Sequence, residues 1–404
     1  MNGTLAIIGG ILLDPDTGRA EPADVLLSDG RVSAITAPGE LPGGAGNGEA
    51  GLGEPVERFD ATGLLIAPGL VDLQVNGAAG VDITAEPERL WEVAAALPRH
   101  GVTSFAVNIV TSDARTRQRA LAALAAGRPD GVPAGAVPLG FSFEGPMLSP
   151  GRHGAHALEL LRTPTPELVE GWSPQAGVLI TTIAPELPGA LEVIRLLADR
   201  GVVVSLGHTV ATLEQFEAGA AAGARAVTHL HNGMAPLGNR EPGPVGAVLG
   251  GGDLVAALIV DGVHVHPRTV AASWKALGRK RFLAVTDTTS ALDQPDGHSR
   301  LGGVDVEIRD GALWLTDGSG SLGGSAIGLD DAFRLLARFT GADPADALAA
   351  ATTVPADLIA RPELGRLRPG GPADVVIFDP ELHTVATVIG GQLLDLGKTG
   401  AEVA

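Results

Sequence analysis

The chain has 404 residues, enough for two or three domains of ordinary size or for one large barrel with an appended unit. Hydrophobic residues make up 45% of it and charged residues 19%, which is typical of a compact globular protein and not of a disordered one. The absence of Cys and Tyr excludes disulfides, thiolate metal sites and Cys or Tyr nucleophiles, so any metal must be bound by imidazole and carboxylate groups. The net charge of −19 argues against nucleic acid or an anionic membrane as a partner.

Both ends of the chain have a sequence pattern typical of β-strands, with short apolar runs separated by turn signals such as Asp29-Gly30. A Gly-rich stretch at residues 38–55 is predicted to be a surface loop. We expect residues 1–66 and 365–404 to combine into one small β-sandwich. The apolar runs are residues 5–13, 24–35, 63–66, 373–378 and 384–389.

Residues 67–364 show a different pattern, in which short apolar runs alternate with Ala-, Leu- and Arg-rich segments long enough to be helices. Eight parallel strands with helices between them, over roughly 300 residues, match the size of a (β/α)8 barrel. The predicted fold class is therefore α/β, a TIM-type barrel with the β-sandwich beside it. The eight runs are Leu70–Asn76, Ser104–Val110, Val137–Glu144, Val178–Ile183, Val202–His208, Ala226–Asn232, Ala256–Val263 and Phe282–Asp287.

Polar residues stand at or just after the C-terminal ends of these runs, and in a barrel they would converge on the face where active sites are built. A buried strand must in any case become polar where it leaves the core, which accounts for Thr181 and Asn108. It accounts less well for a glutamate, an aspartate and several histidines. The set is Gln74, Asn76, Asn108, Glu144, Thr181, Thr182, His208, His229, His231, His264 and Asp287.

Glu144, His208 and His229 would come from the ends of strands three, five and six. One carboxylate and two imidazoles suit a catalytic divalent metal that keeps an open position for water. Each of the two histidines taken alone is better explained as a hydrogen-bonded core residue. Together with the glutamate, however, they predict a metal site. Asp287, which ends an apolar strand, is the candidate for the group that accepts and returns a proton; the alternative is that it caps the next helix.

His156 and His264 are candidates for contacts with a carbonyl oxygen or a sugar hydroxyl. Arg240 lies in a Gly- and Pro-rich loop, where its guanidinium would either bind a phosphate or be an ordinary surface group. His231 shares a strand face with His229, so we expect it either to line the site or to pack in the core. The other histidines are predicted to be structural or solvated: His100, His153, His266, His298 and His383.

Several short motifs follow one another along the chain in a specific order and spacing, although each motif alone is weak evidence for a family. They are Ala67-Pro-Gly-Leu-Val-Asp-Leu-Gln-Val-Asn-Gly, Phe143-Glu-Gly-Pro, Gly154-Ala-His, Leu206-Gly-His-Thr-Val-Ala-Thr, Thr228-His-Leu-His-Asn-Gly-Met, Arg240-Glu-Pro-Gly, Asp261-Gly-Val-His, Val285-Thr-Asp-Thr and Leu322-Gly-Gly-Ser. Together they resemble the N-acetylglucosamine-6-phosphate deacetylase family of the amidohydrolase superfamily, over nearly the whole chain.

The resemblance implies that Glu144, His208 and His229 bind the metal and that Asp287 is the general base and acid. It implies that Arg240 and the backbone near Asn232 hold the 6-phosphate, and that His156 steadies the acetyl carbonyl. The implied substrate contacts are Ala155, His156, Asn232, Gly233, Arg240, His264, Leu322, Gly323 and Gly324.

The superfamily commonly has a His-x-His pair at the end of strand one, and the matching positions here are Gln74 and Asn76. Amides are poor substitutes for imidazole on zinc, so we expect one divalent ion per subunit. Zinc is the first expectation, with iron, manganese or cobalt as alternatives. The resemblance also implies a homodimer.

The expected activity is hydrolysis of the N-acetyl group of N-acetylglucosamine 6-phosphate to glucosamine 6-phosphate and acetate, in amino-sugar catabolism and cell-wall recycling. One alternative is a related amidohydrolase acting on another phosphorylated N-acetylhexosamine or on a cyclic amide; another is a protein that binds an amino-sugar phosphate without catalysis. Residues 1–13 lack the features of a secretory signal, and the chain has no apolar run of about 18 residues. We therefore expect a cytoplasmic protein with no membrane partner.

Overall fold

The computed structural model describes residues 3–42, 56–309 and 312–394. Most of the loop predicted at residues 38–55 lies outside the described residues. The strands are β1 (Thr4–Asp14), β2 (Arg19–Ser28), β3 (Arg31–Thr36), β4 (Val56–Asp60), β5 (Leu65–Pro68), β6 (Leu70–Val75), β7 (Gly77–Ala78), β8 (Val81–Asp82), β9 (Val102–Val110), β10 (Val137–Glu144), β11 (Val178–Ile183), β12 (Val203–Leu206), β13 (Ala226–Val227), β14 (Val255–Ile259), β15 (Phe282–Val285), β16 (Gly297–Leu301), β17 (Val304–Arg309), β18 (Ala312–Leu315), β19 (Leu322–Ser325), β20 (Val375–Phe378), β21 (Thr384–Ile389) and β22 (Gln392–Leu394).

Two helices begin where local side chains satisfy free backbone N–H groups: Asp113 caps α2, and Thr212 with Gln215 forms a capping box at α4. None of the helices in the described part of the chain is long and apolar enough to cross a membrane. The α-helices are α1 (Leu90–Ala96), α2 (Ala114–Ala126), α3 (Ala190–Asp199), α4 (Leu213–Ala221), α5 (Gly243–Leu249), α6 (Pro267–Arg281), α7 (Leu329–Thr340), α8 (Pro344–Leu348) and α9 (Thr353–Leu358). Short 3-10 helices cover Pro87–Arg89, Leu97–His100, Pro150–Arg152, Leu158–Leu160, Pro166–Val169, Pro174–Ala176 and Ala349–Ala351.

Eight parallel strands form the predicted barrel, in the order β6, β9, β10, β11, β12, β13, β14 and β15. The ring is drawn together between its first and last strands, where the Asn76 N–H donates to the Thr288 carbonyl over 2.8 Å. The strands read as continuous apolar runs because side chains inside the barrel and side chains under the helices are both buried. In β9 every residue is buried. The predicted fold class is confirmed.

Three barrel strands stop two residues before the polar residues that the sequence placed at their ends. The reason is local: each of these polar residues has a positive φ, which an extended strand does not accommodate. The residues are His208 (φ 46°), His229 (φ 28°) and Asp287 (φ 51°), which follow β12, β13 and β15. The predicted strands were therefore too long at their C-terminal ends, although these three polar residues still lie at the C-terminal face of the barrel.

Both ends of the described chain contribute to one further sheet, in the order β22-β21-β20-β5-β1-β2-β3, with β4 beside β1. Its apolar core is shared, since Ile7 and Val25 from one end belong to the same buried cluster as Val375 and Ile377 from the other. The predicted union of the two ends is confirmed. The domain limits proposed after residues 66 and 364 stay predictions.

A four-stranded antiparallel sheet, β16 to β19, follows the last barrel strand. Leu301, Val306, Ile308 and Leu313 bury one face of it against Val110 at the end of β9. Most of this segment, residues 297–321, carried no predicted element. The signal was nevertheless present, because a Gly-Gly turn at residues 302–303 precedes residues 304–309, which alternate apolar and charged side chains.

Candidate metal centre and active site

A cavity of about 590 Å³ opens at the C-terminal ends of the barrel strands. Its base is formed by Glu144, His208, His229 and Asp287, and we call these four residues the floor. The cavity also brings together nearly all the substrate contacts that the resemblance implied. Those in its lining are Ala155, His156, Asn232, Gly233, His264, Leu322, Gly323 and Gly324.

Three floor atoms meet at one point. The Oε1 atom of Glu144 lies 3.0 Å from Nε2 of His208 and 2.9 Å from Nε2 of His229, and the two nitrogens are 3.1 Å apart. All three side chains are buried. Two imidazole nitrogens and one carboxylate oxygen are a donor set that divalent transition metals prefer.

The proton of His208 sits on the far side of its ring. Nδ1 is 2.7 Å from the carbonyl oxygen of Arg152, and because a carbonyl only accepts, Nδ1 must carry the hydrogen. Neutral His208 therefore turns the lone pair of Nε2 toward the oxygen of Glu144. Two acceptors facing each other at 3.0 Å repel unless a cation lies between them, so this arrangement fits a bound metal ion.

His156 has the opposite tautomer. Its Nδ1 accepts the backbone N–H of Thr111 over 3.1 Å, which leaves the hydrogen of the neutral ring on Nε2. That Nε2 faces the floor, 3.8 Å from Oε1 of Glu144. A nitrogen that carries a hydrogen donates a hydrogen bond and does not ligate a metal.

Two ligand sets can therefore be drawn from these side chains. Atoms of Glu144, His156 and His208 lie within 4.8 Å of one another, which is compatible with a metal site. The set of Glu144, His208 and His229 is tighter, and it does not use the protonated nitrogen of His156. We favour this second set on geometry and on the tautomers.

The floor is electrostatically coupled. Burial and the neighbouring His156 lower the pKa of His208 to about 4, in spite of its contact with Glu144. Burial would also lower the pKa of His229, but its hydrogen bond to Glu144 and the charges of Glu144 and Asp287 raise it to about 9. Burial opposes ionisation of Glu144, yet its three histidine neighbours hold its pKa well below the usual range. Glu144 is thus kept ionised by the three histidine side chains around it.

Amide side chains surround Asp287. Its Oδ1 accepts from Nε2 of Gln74 over 3.0 Å and from Nδ2 of Asn76 over 2.8 Å. Nδ2 of Asn108 donates to Oδ1 of Asn76 over 2.7 Å and to Oε2 of Glu144 over 2.8 Å. Nε2 of Gln74 also donates to Oε2 of Glu144 over 3.2 Å, so the Gln-x-Asn pair positions both Asp287 and Glu144 by hydrogen bonds.

These amides engage only one oxygen of Asp287. The other, Oδ2, faces the position of Gly324, where a Cβ atom would lie 3.8 Å from it and 2.9 Å from the Asp287 carbonyl oxygen. Gly324 has φ 105°, so a larger residue there would be both strained and crowded. Burial, followed by the charge of Glu144, raises the pKa of Asp287 to about 6.

His264 and Asn232 bring polar groups to the wall. The Nδ1–H of His264 donates to Oδ2 of Asp261 over 2.6 Å, and this carboxylate also accepts the backbone N–H groups of Val263 and His264. The ring is therefore fixed by a local turn. Nδ2 of Asn232 is buried and has no hydrogen-bond partner in the part of the chain that is described. A buried donor of this kind is ready for an acceptor on a ligand.

Arg240 does not join this group. Its residue is exposed, in the loop before α5, and it is not part of the cavity lining. His231 is also separate, since its Nε2 lies 2.9 Å from the hydroxyl of Ser273 in α6. Of the two expectations for His231, lining the site is therefore wrong.

Two histidines predicted to be structural or solvated have more definite surroundings. His100 lies between two carboxylates, with Nδ1 3.3 Å from Asp330 and Nε2 3.2 Å from Asp293. It is a structural residue with partners distant in sequence. His153 lines the mouth of the cavity, and its Nδ1–H donates to the His156 carbonyl over 2.9 Å.

A model of the amidohydrolase family matches residues 65–394, which is most of the chain. The chain belongs to the amidohydrolase family. The resemblance suggested by the motifs is confirmed, and the metal-compatible floor lies in this matched segment.

Among similar proteins, this amidohydrolase is 36% identical over 352 residues to N-acetylglucosamine-6-phosphate deacetylase of Mus musculus, covering 84% of this chain and 85% of the relative. It is also 36% identical over 338 residues to N-acetylgalactosamine-6-phosphate deacetylase of Shewanella sp. strain ANA-3, covering 82% of this chain and 84% of that relative. The amidohydrolase resembles the crystal structure of N-acetylglucosamine-6-phosphate deacetylase from Pasteurella multocida, with a TM-score of 0.87, 26% identity and coverage of 97% and 99%. It also resembles the structure of a mutant of N-acetyl-D-glucosamine-6-phosphate deacetylase from Mycobacterium smegmatis in complex with N-acetyl-D-glucosamine-6-phosphate. The TM-score is 0.84 and the sequence identity 30%, and the match covers 97% of this chain and 98% of that one.

The upper wall of the amidohydrolase cavity was not foreseen. It consists of lining residues from β16 to the start of β19, and we call it the roof. Trp314 is half-buried there, with the guanidinium of Arg309 4.9 Å from its ring centre. The motif at residues 322–325 indicated only the end of this wall. The other roof residues in the lining are Leu301, Leu315, Asp317, Ser319, Gly320 and Ser321.

Proposed function

We propose that this amidohydrolase removes the N-acetyl group from N-acetylglucosamine 6-phosphate, giving glucosamine 6-phosphate and acetate. The observation that carries the proposal is the division of labour on the floor. Possible ligand atoms of Glu144, His208 and His229 converge, an N–H donor comes from His156, and a carboxylate oxygen of Asp287 remains open. An amide hydrolase needs these three elements around one carbonyl carbon. The names of the relatives support the substrate.

We assign one divalent ion to Glu144, His208 and His229, with zinc expected first and iron, manganese or cobalt as alternatives. When bound, such an ion supplies Lewis acidity and lowers the pKa of a coordinated water molecule. The tautomer of His208, fixed by the Arg152 carbonyl, prepares the site for this ion. A single ion agrees with the use of Gln74 and Asn76 as hydrogen-bond donors to Asp287.

Asp287 acts as general base and then as general acid. Gln74 and Asn76 hold Oδ1, so Oδ2 is the atom that accepts a proton and later delivers it to the departing nitrogen. A pKa near 6 suits both steps at neutral pH, because the carboxylate is ionised before the reaction and still basic enough to take up a proton.

His156 binds the oxygen of the acetyl group. Its Nε2–H points to the floor, and the backbone of Thr111 prevents the ring from adopting the other tautomer. As negative charge develops on the acetyl oxygen, this hydrogen bond strengthens, which favours the transition state over the bound substrate.

The sugar and its phosphate are assigned to the opposite wall. Asn232, Gly233 and His264 provide polar groups there, and Ala155 with residues 322–324 completes the pocket around the ring. Arg240 stays a predicted phosphate contact, although its exposed position does not support that role within one chain. A homodimer and a cytoplasmic location also stay predictions.

A second substrate deserves a direct comparison, because a relative that is 36% identical is named N-acetylgalactosamine-6-phosphate deacetylase. The test is acetate release by the purified protein, with its metal content measured. The substrates are the two 6-phosphorylated N-acetylhexosamines and unphosphorylated N-acetylglucosamine. We expect the highest kcat/KM for N-acetylglucosamine 6-phosphate. A higher value for the galactose isomer would replace the substrate, and tight binding without acetate release from a metal-loaded protein would indicate a non-catalytic binding protein.

A further inference from the structure

Arg152 occupies a position at the cavity that no motif singled out. It ends the 3-10 turn Pro150–Arg152 after β10, and it lines the cavity. Its carbonyl oxygen accepts the Nδ1–H of His208, so its backbone is fixed against a floor residue. The residue is exposed, and its guanidinium makes no hydrogen bond or ion pair with the described residues. It thus has a fixed backbone and an unengaged cationic side chain.

Charge makes this position informative. The lining carries three carboxylates, Glu144, Asp287 and Asp317, in a chain of net charge −19. Among the described residues, Arg152 is the one Arg or Lys in that lining. A phosphorylated substrate cannot rely on attraction to the protein as a whole, so a local cation has to offset the repulsion from these carboxylates.

The position of Arg152 also matches the wall assigned to the phosphate. A Cβ atom on Gly233 would lie 3.0 Å from Nδ1 of His208, the same atom that donates to the Arg152 carbonyl. The Arg152 backbone and Gly233 therefore both lie close to Nδ1 of the His208 ring. Arg152, Gly233 and Asn232, whose Nδ2 is free, line the same cavity, so an anion held by Asn232 and Gly233 would share that cavity with the Arg152 side chain.

We propose that Arg152 is a specificity residue whose guanidinium binds the 6-phosphate of the substrate. This inference rests on the proposed function and deepens it by assigning the phosphate a cation from the same chain. Arg152 then has two functions: its side chain binds the phosphate, and its carbonyl oxygen holds His208 in the metal-binding tautomer. Only the first task depends on the side chain.

The experiment uses the metal-loaded full-length protein and the variants Arg152→Gln and Arg152→Lys. The matched control is Arg195→Gln, which removes the same charge from an exposed position in α3 outside the lining. For Arg152→Gln we expect KM for N-acetylglucosamine 6-phosphate to rise roughly 10- to 100-fold, the effect of losing a charged hydrogen bond. Kinetics with unphosphorylated N-acetylglucosamine and the metal content should stay at wild-type values. Arg152→Lys should give an intermediate KM, since it keeps the charge but not the bidentate geometry.

Inorganic phosphate provides a second measurement. It should inhibit the wild type competitively, and its inhibition constant should rise in Arg152→Gln but not in Arg195→Gln. An unchanged KM for the phosphorylated substrate in Arg152→Gln would overturn the inference, as would equal losses with both sugars accompanied by loss of metal. If the wild type had the same kcat/KM for the phosphorylated and the unphosphorylated sugar, the proposed function would be overturned, and the inference with it.

Discussion

The floor and the roof of the cavity are built in opposite ways. On the floor, the buried Glu144, His208 and His229 and the half-buried Asp287 come from three loops and one strand end, and they are positioned by hydrogen bonds from amides and to a backbone carbonyl. On the roof, all the named residues except the buried Leu301 are half-buried or exposed, and they come from one antiparallel sheet and its turns, inserted after the last barrel strand. From this difference we expect the barrel to fix the chemistry, and roof substitutions to affect substrate binding more than turnover. Substitutions on the floor and on the roof test this separation.

The largest expected effect is on the floor, in Asp287→Asn. Asn retains a polar group for Gln74 and Asn76 but cannot accept the proton, so kcat should fall by about 10²- to 10⁴-fold with metal retained. Acetate release and metal analysis check this. The contrasting variant is Asp317→Asn on the roof, which should change kcat by no more than a few-fold. Near-normal turnover in Asp287→Asn would contradict the assigned role.

His156 and His229 should respond differently although both face Glu144. His156→Gln removes a donor to the acetyl oxygen, so kcat should fall by roughly 10²-fold while the metal stays bound. His229→Gln removes a ligand and should lose the metal. Metal analysis after dialysis separates the two ligand sets: retention in His229→Gln with loss in His156→Gln would favour the set containing His156.

A roof substitution should alter binding more than chemistry. Trp314→Ala removes an aromatic surface from the lining, and an aromatic contact of ordinary strength predicts a rise in KM of about 2- to 10-fold with little change in kcat. Steady-state kinetics measure both. A fall in kcat comparable to that of His156→Gln would show that roof and floor are not separable.

The smallest effect concerns stability away from the cavity. Burial would lower the pKa of His100, but hydrogen bonds to Asp293 and Asp330 raise it to about 10. The folded state then holds a proton that the unfolded state, with a pKa of about 6.5, releases at neutral pH. The stabilisation is complete below about pH 6.5 and is lost as pH rises toward 10.

Urea unfolding of the wild type and of His100→Gln checks this prediction. The difference in unfolding free energy between the two should be greatest at pH 6 and should shrink as pH rises toward 10. A difference that grows with pH would mean that His100 is neutral in the folded protein. Catalytic constants should be unaffected at pH 7, because His100 does not line the cavity.

The sequence predicts the floor because the barrel converts chain order into geometry: a polar residue after an apolar strand falls on one known face. Glu144, His208, His229 and Asp287 were identified in this way. The tautomers could not be predicted, because the partners that fix them are remote in sequence. Thr111 is 45 residues from His156, and Arg152 is 56 residues from His208.

The roof escaped prediction for a different reason. Its strands have the alternation and turn signals of a hairpin, but nothing in that pattern indicates where an inserted sheet packs. The position depends on contacts such as that of Leu301 with Val110, which joins β16 to β9 across the barrel mouth. Arg240 failed to reach the cavity for the same kind of reason, since a Gly- and Pro-rich loop does not encode its direction.

The left-handed backbone of His208, His229 and Asp287 limits how stable this protein can become. For a residue with a Cβ atom this conformation costs about 1–2 kcal/mol, so the three residues together consume a noticeable part of the folding free energy. Gly at any of them would relieve that cost while removing a metal ligand or the proton acceptor. Laboratory evolution for heat resistance alone would therefore tend to select inactive proteins, and a screen for robust variants needs turnover as a second criterion.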